Sequence, residues 1–266
     1  MAAAAILSCS MNELLPLFPL GAVLFPGMVL PLHVFEERYQ QMVADLLGKP
    51  EPAREFAVIA IRKGREVGSD NAHELHDIGC VARLREATRH ADGRFDLVSV
   101  GTRRFRLLRT DDTLPYYQGE VEELPDHVLL ARPGEPGGAV QASPAGQASP
   151  AVPAGEGEAS PEVAAAVLAA VRSVQAAFRD YLNALADRAG AVVRVADIPD
   201  DPILLSYVVA AGMIIDLPER QRLLAAPDAV SRLRAERTLL TRERAMLRLT
   251  TSRPAPDLSR ERFSPN

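Results

Sequence analysis

The sequence of 266 residues has no tryptophan, and aromatic residues make up only 5% of it. Its lysines are Lys49 and Lys63, so arginine carries nearly all of the positive charge. Lys+Arg 30 against Asp+Glu 35 gives a net charge of -5. A mildly acidic chain lacks the overall attraction to phosphate on which non-specific nucleic-acid binding depends. The composition therefore argues against a protein dedicated to nucleic acid.

Cysteine and long apolar runs are also scarce. Cys9 and Cys80 are the two cysteines, and Cys9 falls in a leader, residues 1–10, that we expect to be disordered. A structural disulfide is therefore not expected, which favours the reducing cytoplasm. No stretch approaches the roughly 18 apolar residues of a membrane span, and the leader lacks the basic start of a secretory signal. We predict a cytoplasmic protein without membrane contact, with Met1 and Met11 as alternative start residues.

A change of composition divides the chain into two lobes. Residues 131–160 are rich in proline, glycine, alanine and serine and contain the imperfect repeat QASPAG–QASPAV. So few large apolar side chains cannot offset the entropy of ordering, which predicts a flexible insert. Residues 11–130 are predicted to form a β lobe with one helix, and residues 161–253 a helical bundle lobe. With a loose tail at residues 254–266, the predicted fold class is α+β.

Before the insert, short apolar runs alternate with turn residues. The run FAVIAI, residues 56–61, suits a buried strand. Pro19 and Pro31 lie in other runs and cannot donate a ladder hydrogen bond, so those strands should be short and edge-like. The spacing from Phe35 to Leu46 predicts the one helix of this lobe. About six or seven short strands favour a small closed or nearly closed barrel.

After the insert, apolar residues recur at helical spacing from Val163 to Leu185. Asp201 and Asp216 each precede a proline and an apolar run, which is typical of a helix N-cap. Pro227 is predicted to start a last amphipathic helix that reaches residue 249. These segments together predict a helical bundle.

The residues offer no convincing catalytic, metal or cofactor site. The motif G-x-x-x-x-G-K-[ST] is absent, and neither lysine has the setting of a serine–lysine dyad. His73, His76 and Cys80 form the one cluster with metal-ligand chemistry, but its spacing fits a solvated loop entering a strand better than a zinc site. We predict no enzyme activity, no catalytic residue, no bound metal and no cofactor.

Two groups of residues are candidates for binding, each with a simpler interpretation. The first is a basic strand face that could bind an anion or RNA, or could be an ordinary solvated face balanced by acidic residues. It consists of Arg83, Arg85, Arg104 and Arg106. The second is an apolar group that could bind an extended peptide, or could simply close the barrel. It consists of Phe18, Leu20, Phe25, Pro26 and Met28.

Several ordered motifs resemble the amino-terminal domain of Lon proteases. They are LPLFPLGAVLFPGMVLPLHVFEERYQQMV at residues 15–43, IGCVA at 78–82, VGTRRF at 100–105, and ERQRLL at 219–224. The resemblance implies a PUA-like β pseudo-barrel followed by a helical bundle. In full-length Lon proteases this region helps to select substrates, and an ATPase and a peptidase follow it. The resemblance therefore implies a stand-alone recognition domain rather than a peptidase.

The function we expect is a non-catalytic module that binds unfolded protein segments or a protein partner. A role in proteolysis or quality control, with a protease or chaperone as partner, is implied by the resemblance. The alternative is an RNA-binding PUA-like module that uses the strand arginines, although the acidic net charge makes nucleic acid a poor partner. We expect a monomer or a weak homo-oligomer.

Overall fold

The computed structural model describes residues 12–64, 72–128, 161–189 and 198–249. The predicted leader, insert and tail lie outside these ranges. The strands are β1 (Glu13–Leu20), β2 (Val29–Val34), β3 (Glu55–Gly64), β4 (Ala72–Leu75), β5 (Ile78–Arg89), β6 (Phe95–Asp111) and β7 (Gln118–Leu124). The helices are α1 (Glu37–Leu47), α2 (Pro161–Ala189), α3 (Pro202–Gly212), α4 (Leu217–Leu224) and α5 (Ala229–Leu249).

Five of the strands close into a ring. β1 pairs antiparallel with β7 through its first half and parallel with β3 through its second half. The antiparallel ladders β7–β6, β6–β5 and β5–β3 complete the circuit. The ring encloses a core that includes Leu17, Ile59, Val81, Phe105 and Val121. The predicted α+β class, with a β barrel before a helical lobe, is confirmed.

Helix α1 covers one side of this ring. Its buried residues Tyr39, Met42, Val43 and Leu46 form a second core with Phe18 and other residues of the sheet. The helix begins at Glu37, so Phe35 lies before its first turn and does not belong to the buried stripe. The sequence-based prediction that Phe35 starts the apolar face was therefore wrong.

Helices α2, α3 and α5 form the core of the second lobe. Its centre includes Val174, Phe178, Tyr181, Leu205 and Leu233. The predicted N-caps are present, because the side chain of Asp201 accepts from Leu204 N at 2.7 Å and that of Asp216 from Glu219 N at 2.9 Å.

Helix α5 begins two residues later than predicted. The side chain of Asp228 accepts hydrogen bonds from the backbone N–H and the hydroxyl of Ser231, at 2.7 and 2.8 Å. Asp228 is therefore the N-cap that accepts a free backbone N–H of the first turn. The helix starts at Ala229, and Pro227 precedes the N-cap.

By length and composition, α2 is also apolar enough to cross a membrane, contrary to the sequence-based expectation that no segment is. Core helices of soluble proteins share these properties. Val171, Val174, Phe178 and Tyr181 of α2 are buried in the helical core together with residues of α3 and α5. This packing accounts for the apolar character of one face of the helix.

Candidate functional site

A groove opens between the end of β1, the strand β2 and the start of α1; we call it the β1–β2 groove. Its cavity volume is about 150 Å³. It is lined by Phe18, Pro19, Leu20, Leu32, His33, Val34, Phe35, Glu36 and Tyr39. The rings of Phe18 and Tyr39 lie 4.3 Å apart between their centroids. The groove is therefore an apolar and largely aromatic depression in the surface of the β lobe.

The groove is lined by two strands that do not pair with each other. Residues 17–20 of β1 form their ladder with β3, and β2 forms its ladder with β6. In the described ranges no ladder joins β1 to β2. Pro19, in the groove wall, has no N–H to donate, which makes this part of β1 a poor central strand. The edges of two strands are thus left beside an apolar depression.

The rim of the groove carries aromatic and charged groups. Phe35 leaves 49% of its surface exposed, which is unusual for so large an apolar side chain. His33 Nδ1 lies 2.6 Å from Asp96 Oδ1, and His90 Nε2 lies 2.7 Å from Asp96 Oδ2. These hydrogen bonds hold the pKa of Asp96 below its usual value. The Glu36 carboxylate at the rim is paired with Arg38 at 2.9 Å.

The structure divides the five predicted peptide-binding residues between the groove and the core. Phe18 and Leu20 line the groove. Met28 is half-buried and packs against both the α1 core and the helical core. Pro26 is half-buried in the adjoining turn, whereas Phe25 has no exposed surface. Phe25 therefore offers nothing to a ligand.

Phe25 instead joins the two lobes. Its ring centroid lies 6.2 Å from that of Tyr207 in α3, and it belongs to the core of the helical lobe. The turn is completed by Gly27, whose φ of 81° favours glycine and whose N–H donates to Gly101 O at 2.8 Å. A Cβ atom at Gly101 would lie 2.3 Å from Phe25 O, so glycine is needed where this turn meets β6.

Sequence reasoning missed Phe35 as a rim residue of the groove. Phe35 and Tyr39 both fall on helical spacing, so the pattern assigned both to the core, where the structure places only Tyr39. The signal that could have separated them is Glu36-Glu37, since acidic residues are common in the first turn of a helix and Phe35 precedes it.

The predicted basic face does not form as a continuous surface. Arg83 donates to Glu55 Oε1 at 2.8 Å, and its neighbour Arg103 donates to Glu55 Oε2 at 2.5 Å. Arg85 and Arg106 are exposed, whereas Arg104 is only 3% exposed. The grouping of Arg104 with a solvated face was wrong, because the second lobe packs over it.

Arg104 lies in a polar network between the lobes. Its Nη1 donates to the carbonyl oxygens of Leu224 and Ala226, at 2.9 and 2.6 Å. Leu224 is the last residue of α4 and Ala226 lies two residues beyond it, where backbone acceptors lack helical partners. Its Nη2 lies 3.0 Å from Asp126 Oδ1. An arginine from the barrel thus satisfies the end of a helix in the other lobe.

Arg232 of α5 contacts the same carboxylate oxygen. Its Nη2 lies 3.2 Å from Asp126 Oδ1, and its guanidinium lies 4.2 Å from the centroid of the Tyr207 ring. The Tyr207 hydroxyl donates to Asp126 Oδ2 at 2.6 Å. Burial raises the pKa of Tyr207, so its hydroxyl stays protonated. Asp126 therefore faces two buried cations and one phenol, and it links β7 to α3 and α5.

One buried group of α5 is left without compensation. Glu236 has no exposed surface, and neither carboxylate oxygen has a hydrogen-bond partner among the described residues. Burial raises its pKa well above the ordinary value, although nearby Arg232 acts in the opposite direction. Burial thus favours the protonated form of Glu236 in the folded protein.

The histidine–cysteine cluster is separated in the structure. Cys80 is fully buried in the α1 core, where desolvation raises the pKa of its thiol. His76 is half-buried in the wall of a surface pocket, and burial lowers its pKa. The side chain of His73 lies outside the described residues. His76 and Cys80 thus occupy different surroundings, one at the surface and one in the core.

Comparison with known proteins identifies what the chain is similar to. The family described as "ATP-dependent protease La (LON) substrate-binding domain" matches residues 14–242. Lon protease 2 of Sorangium cellulosum is 31% identical over 117 residues, 43% of this chain and 14% of that protein. The Lon protease of Desulfovibrio desulfuricans is 25% identical over 235 residues, 88% of this chain and 23% of that protein. The chain thus spans less than a quarter of either relative.

A solved structure supports the same fold. The N-terminal domain of the Mycobacterium avium complex Lon protease aligns with a TM-score of 0.54 at 16% identity. The alignment covers 88% of this chain and 98% of that one. At this identity the likeness concerns the fold, in which a β barrel is followed by a helical lobe.

Proposed function

The chain belongs to the family of the ATP-dependent protease La (LON) substrate-binding domain, and we propose that it is a non-catalytic module that binds extended, unfolded polypeptide segments in the β1–β2 groove. The observation that carries the proposal is the depression with aromatic residues in its wall, which is lined by residues of β1 and β2, two strands that do not pair with each other among the described residues. The relatives match through their substrate-binding part, which favours recognition over catalysis.

The groove suits recognition by strand addition. An extended segment beside β2 can pair its backbone with the outer edge of that strand, as peptides do at exposed sheet edges. Every second side chain of such a segment then points toward the groove. A cavity of about 150 Å³ is the size that accepts a benzene-sized group. The bound segment would place one large apolar or aromatic side chain in this depression, beside Phe35 and over the buried pair Phe18 and Tyr39.

This mode of binding separates unfolded from folded proteins. In a folded protein nearly all backbone N–H and C=O groups are already paired, and large apolar side chains are mostly buried. An unfolded chain offers the groove unpaired backbone groups and exposed apolar side chains. The module would thus select by conformation and apolar content rather than by a fixed sequence, and we propose that a protease or chaperone receives the bound segments in the cytoplasm.

The test is a titration followed by fluorescence anisotropy, with a labelled protein kept unfolded by alkylation of its cysteines. We expect saturable binding that depends weakly on salt and is absent for a folded control. The substitution Phe35→Ser should weaken binding about tenfold, because it removes exposed aromatic surface at the rim without opening the core. Leu14→Ser is the matched control, since Leu14 is 51% exposed but lies at the opposite end of β1.

Two outcomes would contradict the proposal. Equal loss in both variants would show that general surface hydrophobicity, rather than the groove, governs binding. Tight binding of single-stranded RNA that weakens steeply with salt, without binding of the unfolded chain, would favour the RNA-binding alternative. The pairing of Arg83 and Arg103 with Glu55 gives that alternative little support.

A further inference from the structure

The side of β2 that faces away from β6 carries backbone groups that a bound segment can reach. Gly101 N donates to Met28 O at 2.9 Å, beside the paired residues Val29 and Val100. In an antiparallel ladder such a bond flanks a pair whose own backbone groups point away from each other. Every second residue of β2 therefore directs its N–H and C=O away from β6. We call this set of backbone groups the β2 edge; its residues are Val29, Pro31 and His33.

The β2 edge has more acceptors than donors. Val29 and His33 each offer an N–H and a C=O, whereas Pro31 offers only a C=O. Among the described residues no hydrogen bond uses these groups. A segment that pairs with the whole edge must therefore supply an N–H to each of the three carbonyl oxygens, but it finds an N–H for only two of its own.

Strand β1 cannot supply these N–H groups. Leu17 N donates to Tyr117 O at 2.8 Å, on the edge of β1 that faces away from β3. By alternation, Pro19 is the next residue whose backbone nitrogen lies on that edge, and it carries no hydrogen. Both strands that line the groove thus have a proline nitrogen at their unpaired edge, which is a physical reason why they do not pair with each other.

Pro31 also argues against a second copy of the chain as the occupant of the β2 edge. Two copies paired antiparallel about a two-fold axis at Pro31 would set its C=O against the same C=O of the other copy, with no N–H between them. Acceptors left without donors in an interface destabilise it. A register shifted by two residues pairs only two of the three residues of the edge. An unfolded segment, in contrast, has an N–H at every position except proline.

We infer that the β2 edge selects segments by their backbone, accepting those with free N–H groups at three alternate positions among five consecutive residues and excluding proline from these positions. The inference rests on the proposed binding of unfolded segments in the β1–β2 groove and defines which segments bind there. It holds for either direction of the bound segment, because parallel and antiparallel ladders both use alternate residues. Pro31 determines this specificity, because it turns the centre of the edge into an acceptor without a donor.

The experiment uses the full chain and a short labelled peptide of serine and threonine around a single phenylalanine. The phenylalanine fixes the register by entering the groove. Backbone N-methylation then removes one N–H at a time along the peptide, and each product is titrated by fluorescence anisotropy. We expect methylation to weaken binding at three positions that alternate with insensitive ones, by about fivefold or more at each, because each removes one hydrogen bond.

The substitution Pro31→Val tests the edge from the side of the protein. Valine supplies the missing N–H, so the unmethylated peptide should bind about fivefold more tightly. Pro115→Val is the matched control, because Pro115 is also exposed but lies between β6 and β7, outside the groove. Its affinity for the peptide should equal that of the parent. Circular dichroism would verify that both variants fold, and the methylation series on the parent chain depends on neither.

Three results would overturn the inference, and they separate it from the proposed function. An unmethylated peptide that does not bind would contradict both. Binding that Phe35→Ser weakens, but that tolerates methylation at every position or suffers equally at all of them, would leave the groove in place and remove the selection by backbone. Self-association of the parent chain, seen by sedimentation and reversed by the peptide, would make a second copy the occupant of the β2 edge.

Discussion

Replacing Asp126 by alanine is the sharpest test of how the two lobes are joined. The carboxylate of Asp126 lies 3.0 Å from Arg104 and 3.2 Å from Arg232, and it accepts the Tyr207 hydroxyl at 2.6 Å. Arg104 is 3% exposed and Arg232 is not exposed. Alanine would leave two buried guanidinium groups in the interface without the carboxylate that pairs with both.

The expected loss of stability follows from the charges of Arg104 and Arg232 that are left unpaired. Removing one partner of a buried ion pair costs about 3 to 5 kcal/mol, mainly because the remaining charge stays desolvated. Asp126 itself is 17% exposed, and both arginines keep other acceptors, including Leu223 O for Arg232 at 2.9 Å. These two facts favour the lower end of that range. We expect the free energy of unfolding to fall by about 3 kcal/mol.

The assay is urea denaturation at neutral pH, followed by circular dichroism. Asp45→Ala is the control, because Asp45 also accepts a tyrosine hydroxyl, from Tyr116 at 2.8 Å, but is itself exposed. Loss of that bond should cost about 1 kcal/mol or less. If Asp126→Ala were no more destabilising than Asp45→Ala, the network between the lobes would contribute only what single hydrogen bonds contribute, and the reasoning would be refuted.

Three further predictions concern single side chains. Because burial raises the pKa of Glu236, the folded state keeps a proton that the unfolded state releases, so stability falls as pH rises above the ordinary value of 4.5. Glu236→Gln should remove this contribution, and urea denaturation at pH 5 and pH 7 should show its advantage over the parent growing with pH until the carboxyl of the folded parent ionises; parallel pH dependences would contradict the burial argument. In the same assay, Phe25→Ala should lower the free energy of unfolding by about 3 to 5 kcal/mol, whereas Phe35→Ala should lower it by less than about 1 kcal/mol. Similar losses in the two variants would contradict the assignment of Phe25 to the core. Gly101→Ala should lower the thermal midpoint, because its Cβ would lie 2.3 Å from Phe25 O; an unchanged midpoint would show that this turn can shift at no cost.

Local features of the fold could be predicted from the sequence because their causes are local. Helix caps at Asp201 and Asp216 depend on a side chain and a backbone N–H three residues away. Strands such as β3 depend on an apolar run between turn residues. The same local rules failed at Phe35, where helical spacing continued by chance into the residues before α1.

Contacts between distant residues explain the other errors. Arg104 was predicted to be solvated because strand alternation describes one sheet and takes no account of a second lobe. Its partners Leu224 and Ala226 lie more than a hundred residues away along the chain, and no pattern around Arg104 indicates them. Phe25 was misplaced for the same reason, since its partner Tyr207 belongs to α3.

The candidate groove shows how a local signal and a distant contact combine. Pro19 indicated a strand that cannot be fully paired on both edges, because proline lacks the N–H for a ladder hydrogen bond. It could not indicate which strand is the neighbour. The pairing of distant strands decides which strands are neighbours. The second half of β1 pairs with β3, and β2 pairs with β6 outside the ring. Each strand thus has its own ladder, and residues of both strands line the groove. The ring itself is closed, so the strand outside it, β2, is where we propose that this lobe pairs with another chain.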